Sequence, residues 1–290
     1  MKLKYCLLLL IFFPALTSLK AQNFQTNNFE FLPGGLNFQP LKANHQEARI
    51  GVLYHTATTN LKVDIGNNID LLAYRWADSK LTTGIEFMAY ALSTSYKGNR
   101  LQIDAVDGFF GGNLSYTKKI DKNKFAARLR IIHNSAHFVD GHYDLSTHQW
   151  IDGREPIPYT EDFGELTAAH IINSSVFYFR YYGGFSYSTL VRPADLKRYN
   201  FHAGFEFVLP AVLGKIDEKD CGIFLANFTG TQGSNKYQLN QQTMLGVKLG
   251  NWEEKGILFY LSYYSGGDIF GAYYDRKISK FGIGFSVDYP

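Results

Sequence analysis

The stretch Arg130 to His137, RIIHNSAH, sets a histidine and a serine two residues apart. Along an extended strand, residues i and i+2 share a face and lie about 7 Å apart, a gap that two side chains can bridge. An imidazole within hydrogen-bond reach of a hydroxyl can take its proton and turn it into a nucleophile for ester hydrolysis. Polar residues at a strand end also suit a plain solvated rim, and a three-residue pattern arises often by chance. Which reading holds depends on where His133 and Ser135 point. They share a face with Leu129 and Ile131, while Arg128 and Arg130 take the other.

The strands that must carry them are legible from alternation. In the last segment, KFGIGFSVDYP, Phe281, Ile283, Phe285, Val287 and Tyr289 share one face, against Gly282, Gly284, Ser286 and Asp288. That is period-two patterning, large apolar against small or polar. Leu81, Ile85 and Phe87 repeat it against Thr82, Gly84 and Glu86, and Phe201, Phe205 and Phe207 against His202, Gly204 and Glu206. Twelve strands are expected, near 48–56, 69–76, 80–92, 104–117, 124–137, 165–181, 183–190, 199–209, 221–230, 238–250, 256–265 and 277–289.

The chain opens MKLKYCLLLLIFFPALTSLKAQ, with a basic start, an apolar core and a small residue, Ala21, before Gln22. Residues 1–21 therefore read as a secretory signal peptide. Cys6 lies inside that apolar core, not at a lipid-attachment position, and Cys221 alone would remain, so no internal disulfide is expected. Removing Lys2, Lys4 and Lys20 from 29 basic residues leaves 26 against 26 acidic ones. A neutral mature chain offers no electrostatic case for nucleic acid. Aromatic residues make up 16%, mostly as 24 Phe and 20 Tyr, and no later apolar run could span a bilayer as a helix. An exported chain of this kind can enter a membrane as a closed barrel, where every backbone group is paired.

The expected fold is thus all-β: a single antiparallel transmembrane barrel over residues 48–290, preceded by a periplasmic segment, 22–47. The longest connection, 138–164, follows the fifth strand, and outer-membrane barrels keep their long loops outside. His133 and Ser135 then lie near the extracellular end, facing lipid. Glu86, Arg128, Arg130, Arg180, Glu206 and Lys248 fall on the non-apolar faces. Lipid would penalise them, whereas inside a lumen opposite signs can pair and fill it. A third residue should orient the imidazole. With Arg180 inward, parity puts Asn173 outward, and Asp140 and Glu165 compete for the role. His142, Asp144 and His148 could meet a metal, but solvated loop histidines are commoner, and no metal site is expected. Both SGGD (265–268) and YYGG (181–184) read as turns.

The blocks RLRIIHNSAHFVDGHYD, FRYYGGFSY, FHAGFEF and YYSGGDIFGAYYDRK together resemble the bacterial domain-of-unknown-function family numbered 1207. Its His-x-Ser-x-His pattern is matched by His133, Ser135 and His137, with Asp140 following. Val139 replaces the usual glycine, and Gly141 stands where an acid is common. This resemblance implies an exported bacterial protein and no particular activity. Locally, His133-x-Ser135 is similar to outer-membrane phospholipase A and the lipid A 3-O-deacylase, which carry the same pair on a lipid-facing strand. The phospholipase also takes an asparagine from its next strand, but without the long intervening loop, and Ala136-His137 replaces its asparagine–glycine. That similarity implies a calcium-dependent dimer; otherwise no cofactor is expected. The expected setting is the outer membrane, with lipid and the barrel-assembly machinery as partners. A structural or interaction role comes first, a lipid hydrolase or a narrow passive channel after it.

Overall fold

The computed structural model describes residues 28–97 and 99–289. The expected signal peptide and residues 22–27 lie outside the described residues. Twelve strands form the wall: β1 (Ile50–His55), β2 (Asn60–Trp76), β3 (Ser79–Tyr96), β4 (Asn99–Ile120), β5 (Asn123–Phe138), β6 (Tyr159–Asn173), β7 (Tyr178–Arg192), β8 (Tyr199–Leu209), β9 (Lys219–Gln232), β10 (Gln238–Leu249), β11 (Gly256–Gly267) and β12 (Lys277–Asp288). Each pairs antiparallel with the next, and β12 returns to β1 through Gly282↔His55 to Val287↔Ile50. The sheet closes on itself, so it is an up-and-down barrel. A short strand, Phe29–Phe31, adds to β2 at Leu72–Tyr74, beyond the start of β1.

Burial is inverted relative to a water-soluble domain. Phe87 and Ile131 are 63% and 69% exposed, while Arg128, Arg130, Arg180 and Lys248 are 1–2% exposed. Alternation sorts each strand into an apolar outer face and a polar inner one. Aromatic rings ring both rims: Tyr74, Trp76 and Tyr116 stack at 5.6 and 5.8 Å by the short turns, and Tyr187 meets Tyr199 at 4.8 Å by the longer loops. Such an outer surface suits lipid with interfacial girdles.

The lumen is filled by the chain's own N-terminal part. Of the segment 22–47, read from sequence as periplasmic, Asn37 to Glu47 lies within the barrel, and the chain stays inside to Arg49. Its polar groups find partners only there. Asn37 N donates to Asp70 Oδ2 (2.8 Å), and Arg180 donates to the Gln39 and Pro40 carbonyls (2.8 and 2.9 Å). Glu47, fully buried, accepts from Arg128 Nη1 (2.9 Å) and Nη2 (2.5 Å). Arg130 reaches Glu165 (2.9 Å) and Glu86 (3.3 Å), and Arg180 pairs with Glu206. Lys248 donates to Asp288 (2.6 Å) and two carbonyls of the 250–255 turn. Phe38 lies under Arg128, 4.5 Å from ring centre to guanidinium carbon. The six charges expected to face inward, Glu86, Arg128, Arg130, Arg180, Glu206 and Lys248, therefore all have partners, which offsets the cost of burying them.

Several boundaries differ from the sequence expectation. β2 begins at Asn60 rather than 69, because Lys62 and Asp64 face inward and interrupt the apolar pattern without ending the strand. The break between β6 and β7 is Ser174–Phe177, where Ser174 Oγ accepts from Val176 N and Phe177 N (3.2 and 3.0 Å). YYGG is not a turn but mid-strand: Gly183 and Gly184 pair with Ala168 and Thr167 on one side, Ala203 and His202 on the other. Gly184 is required by crowding, since a Cβ there would strike the Leu166 carbonyl and the His202 ring. The long loop is shorter, 139–158, because β6 begins at Tyr159. Ser265–Gly267 end β11, and the turn itself runs from Asp268 to Arg276.

Candidate functional site

β5 delivers His133 and Ser135 to the outer wall because its inner face is taken by Arg128, Arg130, Ile132, Asn134 and Ala136, all buried. The ladder sets His133 opposite Asp162 of β6 on one side and Phe110 of β4 on the other. His133 Nδ1 lies 2.5 Å from Asp162 Oδ1, with the two side chains 35% and 40% exposed. The Phe110 ring leans on the imidazole, centroids 4.8 Å apart. Nδ1 thus faces the carboxylate, and Nε2 is the nitrogen left for a proton transfer. Ser135 follows on the same face, with Thr160 opposite it. A serine, a histidine and an aspartate therefore share one patch of outer wall, with the aspartate in the orienting position.

The carboxylate beside His133 is not a residue singled out from the sequence. Asn173 sits at the other end of β6, eleven residues beyond Asp162, or about 36 Å by strand rise. There it pairs with Tyr178, and its backbone N–H donates to the Lys122 carbonyl (3.0 Å). Glu165 points inward to Arg130. Asp140 opens a short 3-10 turn, and its Oδ1 accepts from Gly141 N (3.0 Å). Parity counted from Arg180 does not reach Asn173, because the turn at 174–177 divides what reads from sequence as one strand, 165–181. Pairing Arg130 with Glu165 would have found Asp162, since an odd offset from an inward acid points outward.

The loop rim holds a second cluster, missed from sequence. His142 is fully buried; its Nδ1 meets Asp104 Oδ1 (2.8 Å) and its Nε2 meets the Arg154 carbonyl (3.1 Å). Phe138 stacks on the ring at 3.8 Å, and Tyr273 donates to Asp104 Oδ2 (2.5 Å). With both nitrogens engaged, His142 is a keystone for the 139–158 loop rather than an open ligand. Two ion pairs tie that loop to the last one, Arg154–Asp275 (2.8 Å) and Arg276–Asp152 (3.3 Å). Burial would raise the Asp275 carboxyl, but the Arg154 guanidinium outweighs it and holds it below the usual range. Asp144 is held low by Lys97 and Ser146, and His148 lies in a tight turn at φ +54. Among the described residues no three His, Cys, Asp or Glu groups are arranged to hold a metal.

The family described as "Protein of unknown function (DUF1207)" matches residues 17–289. No curated protein matches the chain. Among solved structures, the β-domain of the Bordetella autotransporter BrkA is 10% identical, with a TM-score of 0.41, covering 82% of this chain and 95% of that one. The Pseudomonas putida toluene transporter TodX is 9% identical at a TM-score of 0.42, covering 79% and 69%. OmpT, an outer membrane protein of Vibrio cholerae, is 11% identical at 0.36, covering 82% and 94%.

Proposed function

We propose that this chain, which belongs to the DUF1207 family of proteins of unknown function, is an outer-membrane barrel closed to passive flow that works through its surfaces. The observation that carries this is the Asn37–Arg49 segment, held in the lumen by the Glu47–Arg128 pair and by Arg180. The apolar outer face and its two aromatic girdles support the membrane setting. Longer connections gather on the rim opposite the barrel's ends, which favours that rim as the extracellular one. There the 139–158 loop, pinned by His142 and two ion pairs, presents a preformed surface to a partner. Surrounding lipid and the barrel-assembly machinery are the further partners of such a protein.

Planar-bilayer recording tests the closed lumen. The purified chain is expected to stay silent, and a chain beginning at Ile50 to give ion steps. Reproducible steps from the intact chain would overturn the reading.

A second reading, a serine hydrolase of outer-leaflet lipid, is favoured by one observation, the His133–Asp162 contact beside Ser135. Ser135 Oγ would attack an ester carbonyl, and His133 Nε2 would accept its proton. Asp162 would hold the ring, the lipid alcohol would leave with the proton returned from His133, and water, its proton taken by His133, would then release the acyl group as fatty acid and restore Ser135. An oxyanion needs a donor at the attacked carbonyl. The register sets the Thr160 hydroxyl opposite Ser135, though it now donates to the Asn134 carbonyl (3.0 Å). Calcium belongs with this reading, as the phospholipase-like supplement to that donor. Fatty-acid release from phospholipid and lipopolysaccharide micelles, with and without calcium, tests it; no release under either condition would remove it.

A further inference from the structure

Behind the His133–Asp162 patch, on the inner side of the wall, lies a partly open cavity of about 30 Å³. We propose that it is a binding site for a hard divalent cation of the calcium class. The floor is the luminal segment at His45 and Gln46, and the roof is the 268–276 loop. Asp107, Asn134 and Gln238 line it. Each presents a buried side-chain oxygen with no partner: Asp107 Oδ1, Asn134 Oδ1 and Gln238 Oε1. Asp107 and Asn134 are 1% and 2% exposed, so water outside the barrel does not reach them.

The pairing ladder brings Asp107 and Asn134 to one stretch of inner wall, while Gln238 reaches the cavity from β10. Asn134 is opposite Phe109 on β4, which places Asp107 one diagonal step away on the same face. Glu161 is opposite Asn134 on β6, again inward, and its Oε1 also lacks a partner. The other oxygen of each carboxylate is committed. Asp107 Oδ2 accepts from Gly271 N (2.9 Å), and Glu161 Oε2 accepts from Tyr159 and Gln232 (both 3.2 Å). Each acid is therefore anchored by one oxygen and leaves the second bare. Asp268, also lining the cavity, is anchored by Phe270 N (3.1 Å).

A run of bare acceptors needs a donor or a positive charge. No lysine or arginine lines the cavity. The nearest ones are occupied: Lys62 pairs with Asp64, and Arg49 donates to the Glu47 and Asn44 carbonyls. Carboxylate and amide oxygens are the ligands that calcium takes, in irregular sets of six to eight completed by water. A volume of about 30 Å³ holds an ion with a water or two. Because no three acidic or histidine groups already converge on one point among the described residues, the ion is held by Asp107, the amide oxygens and water. The site is inside the barrel and independent of any chemistry at Ser135.

Terbium luminescence tests this with the full chain in detergent, after chelator treatment. Tyr90, Tyr159 and Tyr264 line the cavity and would sensitise the bound ion. Expected is saturable emission at one ion per chain, displaced by calcium and not by equal magnesium. Asp107→Asn should weaken binding at least tenfold, and Ser135→Ala should leave it unchanged, whichever way lipid hydrolysis turns out. Heat-modifiable gel mobility reports whether each variant folds, and if Asp107→Asn does not, Gln238→Leu near the rim should weaken binding severalfold. Absence of saturable binding by folded wild type, or undiminished binding by a folded cavity variant, overturns the proposal. The latter outcome would place the ion on loop acids.

Discussion

The informative residues come in back-to-back pairs. His133 and Asp162 face out while their chain neighbours Asn134 and Glu161 face in, so one short piece of ladder carries two unlike polar patches. On the outer patch the hydrolase reading makes a sharp demand. Ser135→Ala should lower fatty-acid release by several orders of magnitude. Asp162→Asn should lower it by a large factor too, up to about 10⁴, because the ring loses its oriented tautomer. Neither change removes a packed core group, so unfolding should move by under about 0.5 kcal/mol in each. Release measured beside urea unfolding in micelles separates the cases. Equal release by wild type and both variants excludes a serine mechanism, and unchanged stability then leaves the patch as headgroup-zone polarity.

At the scale of elements, inward glycines show how tightly strands and contents fit. Gly204 on β8 faces the Tyr182 ring, and a Cβ there would strike that ring and the Asn227 carbonyl. Gly108, on β4 opposite Ser135, has open space where its Cβ would be. Gly204→Val should therefore destabilise the barrel by about 1–3 kcal/mol through overpacking, while Gly108→Ala should be close to neutral. Urea unfolding followed by gel mobility gives both numbers, and a neutral Gly204→Val would mean that Tyr182 swings away freely. The same crowding explains why YYGG misled. Glycine marks a turn when it supplies φ > 0, but Gly183 and Gly184 lie within a strand, and Gly184 makes room for the His202 ring.

For the whole molecule, the decisive relation is between the luminal segment and the wall. Glu47 on the segment and Glu165 on the wall both face Arg128 and Arg130, Glu47 at 2.5 Å and 3.8 Å and Glu165 at 3.7 Å and 2.9 Å. Glu47→Gln leaves Arg128 with Glu165 at 3.7 Å as its remaining acid, while Arg130 keeps Glu165 and Glu86; breaking a buried pair in this way costs up to about 3–5 kcal/mol. That cost falls on the seating of the segment more than on the wall, whose backbone ladder is untouched. Limited proteolysis should then cut within 28–49 faster in Glu47→Gln than in wild type, with the folded barrel band retained. Equal cutting rates would show that Phe38, Leu41 and the carbonyls held by Arg180 suffice.

The amino-acid order by itself determined the class of fold, because period-two alternation is a property of neighbouring residues. Large outward Phe, Ile and Leu against inward Gly, Ser and charge state the barrel strand by strand, and β12 shows it from Phe281 to Val287. It also determined that His133 and Ser135 share a face. What it could not carry was anything set between strands. Asp162 meets His133 through a register that spans a twenty-residue loop, 139–158. Glu47 meets Arg128 across 81 positions, and Asp107 accepts from Gly271 across 164. Such contacts arise only once the sheet has closed, since closure fixes which inward groups share the lumen. Tertiary structure therefore decided the third member of the outer patch, the filling of the barrel and the existence of the acceptor-lined cavity.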